Sequence, residues 1–345
     1  METKRLNENQ LSEAIEFLKA DSLVAFPTET VYGLGGNALS AKAVKKVFEV
    51  KGRPSDNPLI VHVANFEQVK EYVDEFHPLA ETLVEKYWPG PLTLICKPRT
   101  GIFPKEVSAG LPTISFRMPN NQKTLRLLKE SHLPLVGPSA NTSGKPSPTS
   151  ADHVYHDLKG KIQAILDDGA TAIGVESTVL DISDPKQAPM ILRPGAITKE
   201  QLEQDLGIEI LLDKHLIKES EAPKSPGMKY KHYSPDTKVL MVRESDWQQA
   251  ITYTQMNKLK VGIMAGPTIA ESLQSDVTAV FMYTDDTVEA ATRGLFAGLR
   301  ALDESTIDLD LILVATFSED HLGVAYMNRL KKAAAQQYFE PSEKL

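Results

Sequence analysis

Only one cysteine, Cys96, occurs in 345 residues, which excludes an internal disulfide and a cysteine-rich metal cluster. It lies in the apolar run Leu92-Thr-Leu-Ile-Cys96 and reads as inert core rather than as a nucleophile. Long apolar runs are lacking too: nothing approaches the roughly 18 residues of a membrane span. Met1–Ala20 mixes charge with Leu6, Leu11, Ile15 and Leu18, the pattern of an amphipathic helix rather than a signal peptide. A cytoplasmic address without membrane contact is the expectation. Positive charge is in deficit, with Lys+Arg 38 against Asp+Glu 46 and a net charge of -8. That balance argues against coating nucleic acid by electrostatics, so any anion site must be local. There is no Gly-x-x-x-x-Gly-Lys-Ser/Thr loop, so triphosphate binding of the P-loop kind is excluded.

What is present starts with Lys51-Gly-Arg-Pro-Ser-Asp-Asn-Pro-Leu59. Gly52, Pro54 and Pro58 keep this stretch out of a regular helix and set Lys51 and Arg53 two residues apart, on one side if the chain is extended. Two fixed cations on such a loop suit a polyanion.

At this length two domains are the natural expectation. Residues 1–212 alternate strand-like runs (Leu23–Phe26, Leu59–Val63, Leu92–Cys96, Thr113–Arg117, Leu135–Val136) with helical patterns (Ala41–Val50, Phe66–Phe76, Leu79–Tyr87, Gln122–Ser131). Gly174–Ile182 and Met190–Arg193 read as a hairpin, and Thr198 with Gln201 as a capping box. The fold class is therefore α/β, with an open, mixed sheet. In 213–236 the pattern fails among recurrent lysines and prolines, as in a linker. Residues 237–345 form a smaller unit, with strands at Val239–Val242, Lys260–Met264, Val280–Tyr283 and Leu311–Ala315 and helices at Val288–Leu302 and Val324–Gln337. Its alternation implies a Rossmann-like sheet.

Five segments place small polar and basic residues where strands end. They are Pro27–Gly36, the Lys51–Asn57 loop with His62, Thr113–Arg117, Gly137–Ser147, and Glu176–Thr178 with Arg193. Ligands of open α/β folds sit beyond strand ends, so the five can share one cleft. Each alone has an ordinary explanation: glycines shaping a turn, a Ser/Pro-rich connector, surface arginines. Gly33-x-Gly35 also mimics a dinucleotide fingerprint, although it lies too far from the strand end for the tight turn that fingerprint needs.

In this order Pro27-Thr-Glu-Thr-Val-Tyr-Gly-Leu, Lys51-x-Arg53-x-x-x-Asn57-Pro, Trp88-Pro-Gly-Pro-Leu-Thr93, Ser139-Ala-Asn141-x-Ser143-Gly and Glu176-Ser-Thr178 resemble the YrdC-like threonylcarbamoyl-AMP synthases. The likeness covers about Leu11 to Leu212. The tail, notably Gly323-Val-Ala-Tyr-Met-Asn-Arg-Leu-Lys-Lys-Ala333, resembles the accessory domain of the two-domain members.

The resemblance implies a nucleotidyltransferase that joins L-threonine, bicarbonate or CO2, and ATP into threonylcarbamoyl-adenylate and pyrophosphate. Its product would supply the proteins that modify tRNA next to the anticodon. On that likeness Lys51, Arg53, Ser139 and Asn141 are the catalytic candidates. ATP would be held by these four with Asn57, Thr113, Ser147, Arg193 and Tyr233. Threonine would be held by Thr30, His62, Gly137, Ser177 or Thr178, and Arg117, whose guanidinium suits a two-pronged pair with the carboxylate. Mg2+ is expected with ATP, using few protein ligands; no metal-ligand set in the chain and no organic prosthetic group are expected. Ser225–Pro235 resembles a family segment that lies over the site, and reads as a lid with Tyr233 on the nucleotide. Two other readings compete. One is a non-catalytic RNA-maturation factor, opposed by a pI of 5.6 and 7 % aromatics. The other is a nicotinamide-dependent oxidoreductase resting on Gly33-x-Gly35 or Gly262–Gly266.

Overall fold

The structure is a computed structural model that describes residues 2–213 and 232–340. Within these residues the chain divides into two compact units. One comprises residues 2–143, 147–172 and 176–213; the other comprises 144–146, 173–175 and 232–340.

In the first unit the strands are β1 (Lys4–Leu6), β2 (Val24–Phe26), β3 (Gly33–Asn37), β4 (Ile60–His62), β5 (Leu92–Cys96), β6 (Ile114–Arg117), β7 (Leu135–Val136), β8 (Ala164–Leu166), β9 (Thr178–Asp181), β10 (Met190–Arg193) and β11 (Leu211–Leu212). They form an eleven-stranded sheet in the order β1-β8-β2-β3-β7-β4-β6-β5-β9-β10-β11. The pairs β4–β6 and β5–β9 run parallel, while β2–β3, β4–β7, β5–β6 and β9–β10 run antiparallel. The sheet is mixed, as the sequence implies.

Side chains of β2 alternate between two cores, as the period of a strand demands. Ala25 joins a cluster with Val44, Val47 and Phe48 of α2 (Ala41–Lys51). Val24 and Phe26 join another, with Leu11, Ile15 and Leu18 of α1 (Leu11–Lys19) and with Leu127 and Leu128 of α6 (Gln122–Ser131). The remaining helices here are α3 (Phe66–Tyr72), α4 (Ala80–Tyr87), α5 (Lys105–Ser108), α7 (Ala151–Leu158) and α8 (Lys199–Leu206). Asn65, Asn121, Ser150 and Thr198 cap α3, α6, α7 and α8 by accepting from a backbone N–H three residues on.

Two departures from the sequence reading have physical causes. The expected N-terminal helix starts only at Leu11, because Lys4–Leu6 pairs in parallel with Ala164–Leu166 as an edge strand. Gly33, Gly35 and Gly36 do not shape a turn but form most of β3. A Cβ on Gly33 would lie 2.8 Å from Phe26 Cζ, and one on Gly35 2.6 Å from Val24 O, so these glycines let Phe26 and the β2 backbone lie close against β3. This placement also removes the dinucleotide-loop reading, which needs a strand-to-helix turn. Cys96 is buried in β5 and its thiol is pushed up to about 12 by burial, consistent with an inert core residue.

The second unit carries a four-stranded, all-parallel sheet. Its strands β12 (Val239–Val242), β13 (Val261–Ala265), β14 (Ala279–Met282) and β15 (Leu311–Ala315) stand in the order β12-β15-β13-β14. Its helices are α9 (Trp247–Met256), α10 (Pro267–Leu273), α11 (Val288–Asp303) and α12 (His321–Ala333). The sequence reading passed over α9 and α10. Polar and β-branched residues dominate α9, so it carries only a weak apolar stripe, and α10 is short and opens on Pro267.

Candidate active site

Arg117, the last residue of β6, centres one cluster. The parallel β4–β6 pair sets it beside His62. Its guanidinium is buried at 4 % exposure. Nε donates to Gly90 O at 3.3 Å and Nη1 to Thr30 Oγ1 at 2.9 Å. Nη2 lies 2.7 Å from Glu29 Oε1, a contact that pairs the charges without the alignment of a hydrogen bond. Glu29 Oε2 accepts from Asn120 N at 3.1 Å, and Thr124 Oγ1 donates to Pro27 O at 2.5 Å, so the turn after β6 and the start of α6 brace the Pro27–Thr30 loop.

His62 is buried, edge-to-face with Phe26 at 5.1 Å between ring centroids. Burial, and then the charge of Arg117, push its imidazole down to about 3, which leaves it neutral near pH 7. Its Nδ1 has no hydrogen-bond partner. Gly137 rests on this ring: a Cβ there would lie 2.6 Å from His62 Nδ1, His62 Cε1 and Phe26 Cζ.

A second cluster surrounds Lys51. It closes α2, where Gly52 at φ 63° supplies the left-handed residue that ends the helix. Lys51 is 2 % exposed, and its Nζ donates to Ser139 O, to Asn141 O at 2.6 Å and to Asn141 Oδ1 at 3.3 Å. Leu34 N donates to Pro138 O at 2.7 Å and Ala140 N to Tyr32 O at 2.8 Å. These bonds tie the loop held by Lys51 to the loop that carries Thr30. Arg53 turns back on its own loop, with Nη2 donating to Pro58 O at 3.0 Å and Nε to Asn57 O at 3.4 Å. Asn57 is buried and its Oδ1 has no partner. A cavity of about 530 Å³ borders this cluster, lined by Glu49, Val50, Lys51, Gly52, Thr142 and Lys161.

The third cluster joins the hairpin to β5. Arg193 donates through Nε to Ser177 O and through Nη2 to Ser177 Oγ, both at 3.0 Å, and Ser177 Oγ lies 2.7 Å from Thr93 Oγ1. The neighbouring Thr178 hydroxyl donates instead to Ile197 O at 2.6 Å. Of the two alternatives Ser177 or Thr178, it is Ser177 that stands with Arg193. Ser147 is fully buried and donates to Glu176 Oε1 at 2.5 Å.

The structure thus brings Thr30, His62, Arg117 and Gly137 together, then Lys51, Ser139 and Asn141, then Ser177 and Arg193. Thr113 precedes β6 at the end opposite Arg117 and is not in these clusters. Tyr233 belongs to the second unit, where its buried ring packs on Phe296 of α11 at 5.1 Å. Most of the expected lid, Ser225–Pro235, lies outside the described residues. Sequence reasoning passed over Glu29, Gly90, Thr93 and Glu176 as site residues. Each stands inside a motif it singled out, and Glu29 adjoins Thr30, itself a site candidate, though nothing local names its partner.

Known proteins share the sequence and the fold of this chain. The family model described as "Telomere recombination" matches residues 16–195, and the one described as "Threonylcarbamoyl-AMP synthase, C-terminal domain" matches 197–335. The chain is 46 % identical over 332 residues to the threonylcarbamoyl-AMP synthase of Bacillus subtilis, spanning 95 % of this chain and 94 % of that one. It is 44 % identical over 338 residues to the enzyme of that name from Pyrococcus abyssi, spanning 96 % of each. The crystal structure of Pyrococcus abyssi Sua5 complexed with L-threonine superimposes with a TM-score of 0.88 at 42 % identity, covering 97 % of both chains. With both models matched in sequence order and this identity held along nearly its whole length, the chain belongs to the threonylcarbamoyl-AMP synthases, in their two-domain form.

Proposed function

We propose that this chain condenses L-threonine, bicarbonate or CO2, and ATP into threonylcarbamoyl-adenylate and pyrophosphate at the three clusters of the first unit. The observation that carries this reading is the hydrogen bonding of the Thr30 loop to the loop held by Lys51, which sets an amino-acid pocket against a nucleotide wall. Threonine lies among Thr30, His62, Arg117, Gly137 and Ser177. ATP lies along the Lys51–Asn57 loop and beside Ser139, Asn141 and Ser147, with Arg193 as a further contact.

The amine of threonine takes up CO2 as a carbamate, releasing a proton. One carbamate oxygen then attacks the α-phosphorus, forming a C–O–P anhydride as the bond to pyrophosphate breaks. Two anions must approach each other, so concentrated cations lower the barrier through their charge rather than through covalent chemistry. Neutral His62 is too weak a base to remove the ammonium proton and serves as a hydrogen-bonding group. Lys51 orients the Ser139–Asn141 loop toward the phosphates. The buried, unpartnered Asn57 Oδ1 fits as one oxygen ligand for a Mg2+ ion carried by ATP, which would supply further charge neutralisation at the phosphates. The labile product passes to tRNA threonylcarbamoyl-transferase proteins, and a cytoplasmic setting follows from that use.

The test is pyrophosphate release from ATP with threonine and bicarbonate omitted in turn. Release that needs both supports the reading; release that ignores either one overturns it.

A further inference from the structure

Sheet register brings Thr93, Ser177 and Arg193 to one place. The parallel β5–β9 pair sets Thr93 opposite Val179. On the other side of β9 the register shifts between Ile191 and Arg193, so Arg193 rather than Leu192 stands opposite the same Val179. Ser177, just before β9, lies between them: its Oγ stands 2.7 Å from Thr93 Oγ1 and accepts from Arg193 Nη2 at 3.0 Å. The backbone here is fixed from a second side. A Cβ on Gly195 would lie 2.3 Å from Thr178 N and 2.6 Å from Ser177 C, so the turn after β10 rests directly on this segment.

The hydroxyl of Thr93 is out of character for its surroundings. Ile95, two residues on and thus on the same face of β5, joins Val179 and Leu192 in one apolar cluster. Valine has nearly the same shape as threonine and would extend that cluster without burying a hydroxyl. Thr93 is fully buried, and among the described residues Ser177 Oγ is the only hydrogen-bond partner of its hydroxyl. That hydroxyl therefore acts on one group alone. Ser177 is fully buried too. Turning its side chain to another staggered position would give up the contacts to Thr93 and Arg193 together. Arg193 would then lose this acceptor, and its hold on Ser177 would shrink to the bond from Nε to Ser177 O at 3.0 Å.

Resting on the nucleotide contact assigned to Arg193 above, we propose that Thr93 is a positioning residue for that contact. Its hydroxyl fixes the rotamer of Ser177, and Ser177 in turn aims the Arg193 guanidinium at the triphosphate. A cation aimed before the ligand arrives spares the reaction the cost of orienting it while the α-phosphorus is attacked.

The experiment measures pyrophosphate release with ATP and threonine varied in turn, at saturating bicarbonate, for the wild type, Thr93→Val and Thr93→Ser. Thr93→Val keeps the shape and removes the hydroxyl. Its kcat/KM for ATP should fall about tenfold, the size of one lost hydrogen bond to a charged group. Thr93→Ser keeps the hydroxyl and should stay within about threefold of the wild type. In an Arg193→Met background Thr93→Val should add no further loss, because the group it aims is gone. Full activity in Thr93→Val, an equal loss in Thr93→Ser, or losses that multiply in the double variant each overturn the proposal. So does a rise in threonine KM with kcat/KM for ATP unchanged, since the effect would then stop at Ser177. If Thr93→Val does not fold, Thr93→Ala takes its place beside Thr93→Ser, with the same expected loss and the same overturning results. A wild type that releases no pyrophosphate with threonine and bicarbonate sinks the functional reading itself. An active wild type matched by Thr93→Val sinks only the role of Thr93.

Discussion

Both units are α/β sheets, yet they treat their strand ends in opposite ways. In the second unit the polar groups after β13 and β15 close on one another, although Trp247 Nε1, after β12, is buried without a partner. Tyr326 OH donates to Ala315 O at 2.7 Å and lies 3.1 Å from Tyr283 OH. After β13, Thr268 donates from N and Oγ1 to Asp286 at 3.2 and 2.6 Å, so a side-chain carboxylate already sits on the first turn of α10. In the first unit Asn57 Oδ1 and His62 Nδ1 are buried without partners, and the Arg117–Glu29 pair is held out of hydrogen-bond alignment. Unsatisfied buried groups cost free energy, and a fold retains them where a ligand can complete them. Parallel strand ends are the default ligand site of open α/β folds. Under the function proposed above, it is the concentration of such groups in the first unit, not the type of sheet, that marks it as the substrate-binding one.

The largest effect that would break this comparison lies at Lys51. Lys51→Met removes the donor for Ser139 O and for both oxygens of Asn141. Loss of kcat/KM for ATP by about a thousandfold is expected, at the upper end for losing one preorganised donor at a charged transition state. Steady-state pyrophosphate release checks it. A loss below about tenfold would mean that the loop holds its shape without the ammonium.

Much of this site was legible because its residues stand in short motifs whose chemistry is local. Lys51 and Arg53, Ser139 and Asn141, and Arg117 at a strand end could each be picked out by charge and turn residues. What the sequence hid was what these groups touch. A strand of glycines such as Gly33–Asn37 has no alternation to read, because its contacts belong to Phe26 on the neighbouring strand. The pairing of Lys4–Leu6 with Ala164–Leu166 links residues 160 positions apart, and no local pattern encodes it. Glu29 was equally hidden: nothing in Pro27-Thr-Glu-Thr says which cation, far along the chain, will face it.

A middle-sized effect tests the closed character of the second unit. A Cβ on Gly266 would lie 2.1 Å from Asp286 Oδ1 and 2.8 Å from its Cα. Gly266→Ala must push that carboxylate off α10, at a cost of about 1–3 kcal/mol in unfolding free energy, as for other overpacked sites. Urea denaturation should show the loss while the KM values for ATP and threonine stay unchanged. A rise in either KM would mean that this strand end takes part in substrate binding, and the contrast between the units would fail.

The smallest effect concerns acid, and it falls on the first unit. His62 has its folded-state value pushed down to about 3, by burial first and by Arg117 second, against about 6.5 for an unfolded histidine. The folded state thus favours the neutral ring. Its contribution is complete above pH 6.5 and is lost as pH falls from there toward 3, because the unfolded chain takes up the proton first. Between pH 6.5 and 5.5 the loss comes to about 1 kcal/mol. His62→Gln removes this term, so the stability gap between wild type and variant should narrow by that amount over that interval in matched denaturation curves. A gap that stays constant would mean that the ring finds a partner for its proton inside the fold. His62 would then no longer be one of the unsatisfied groups that set the first unit apart from the second.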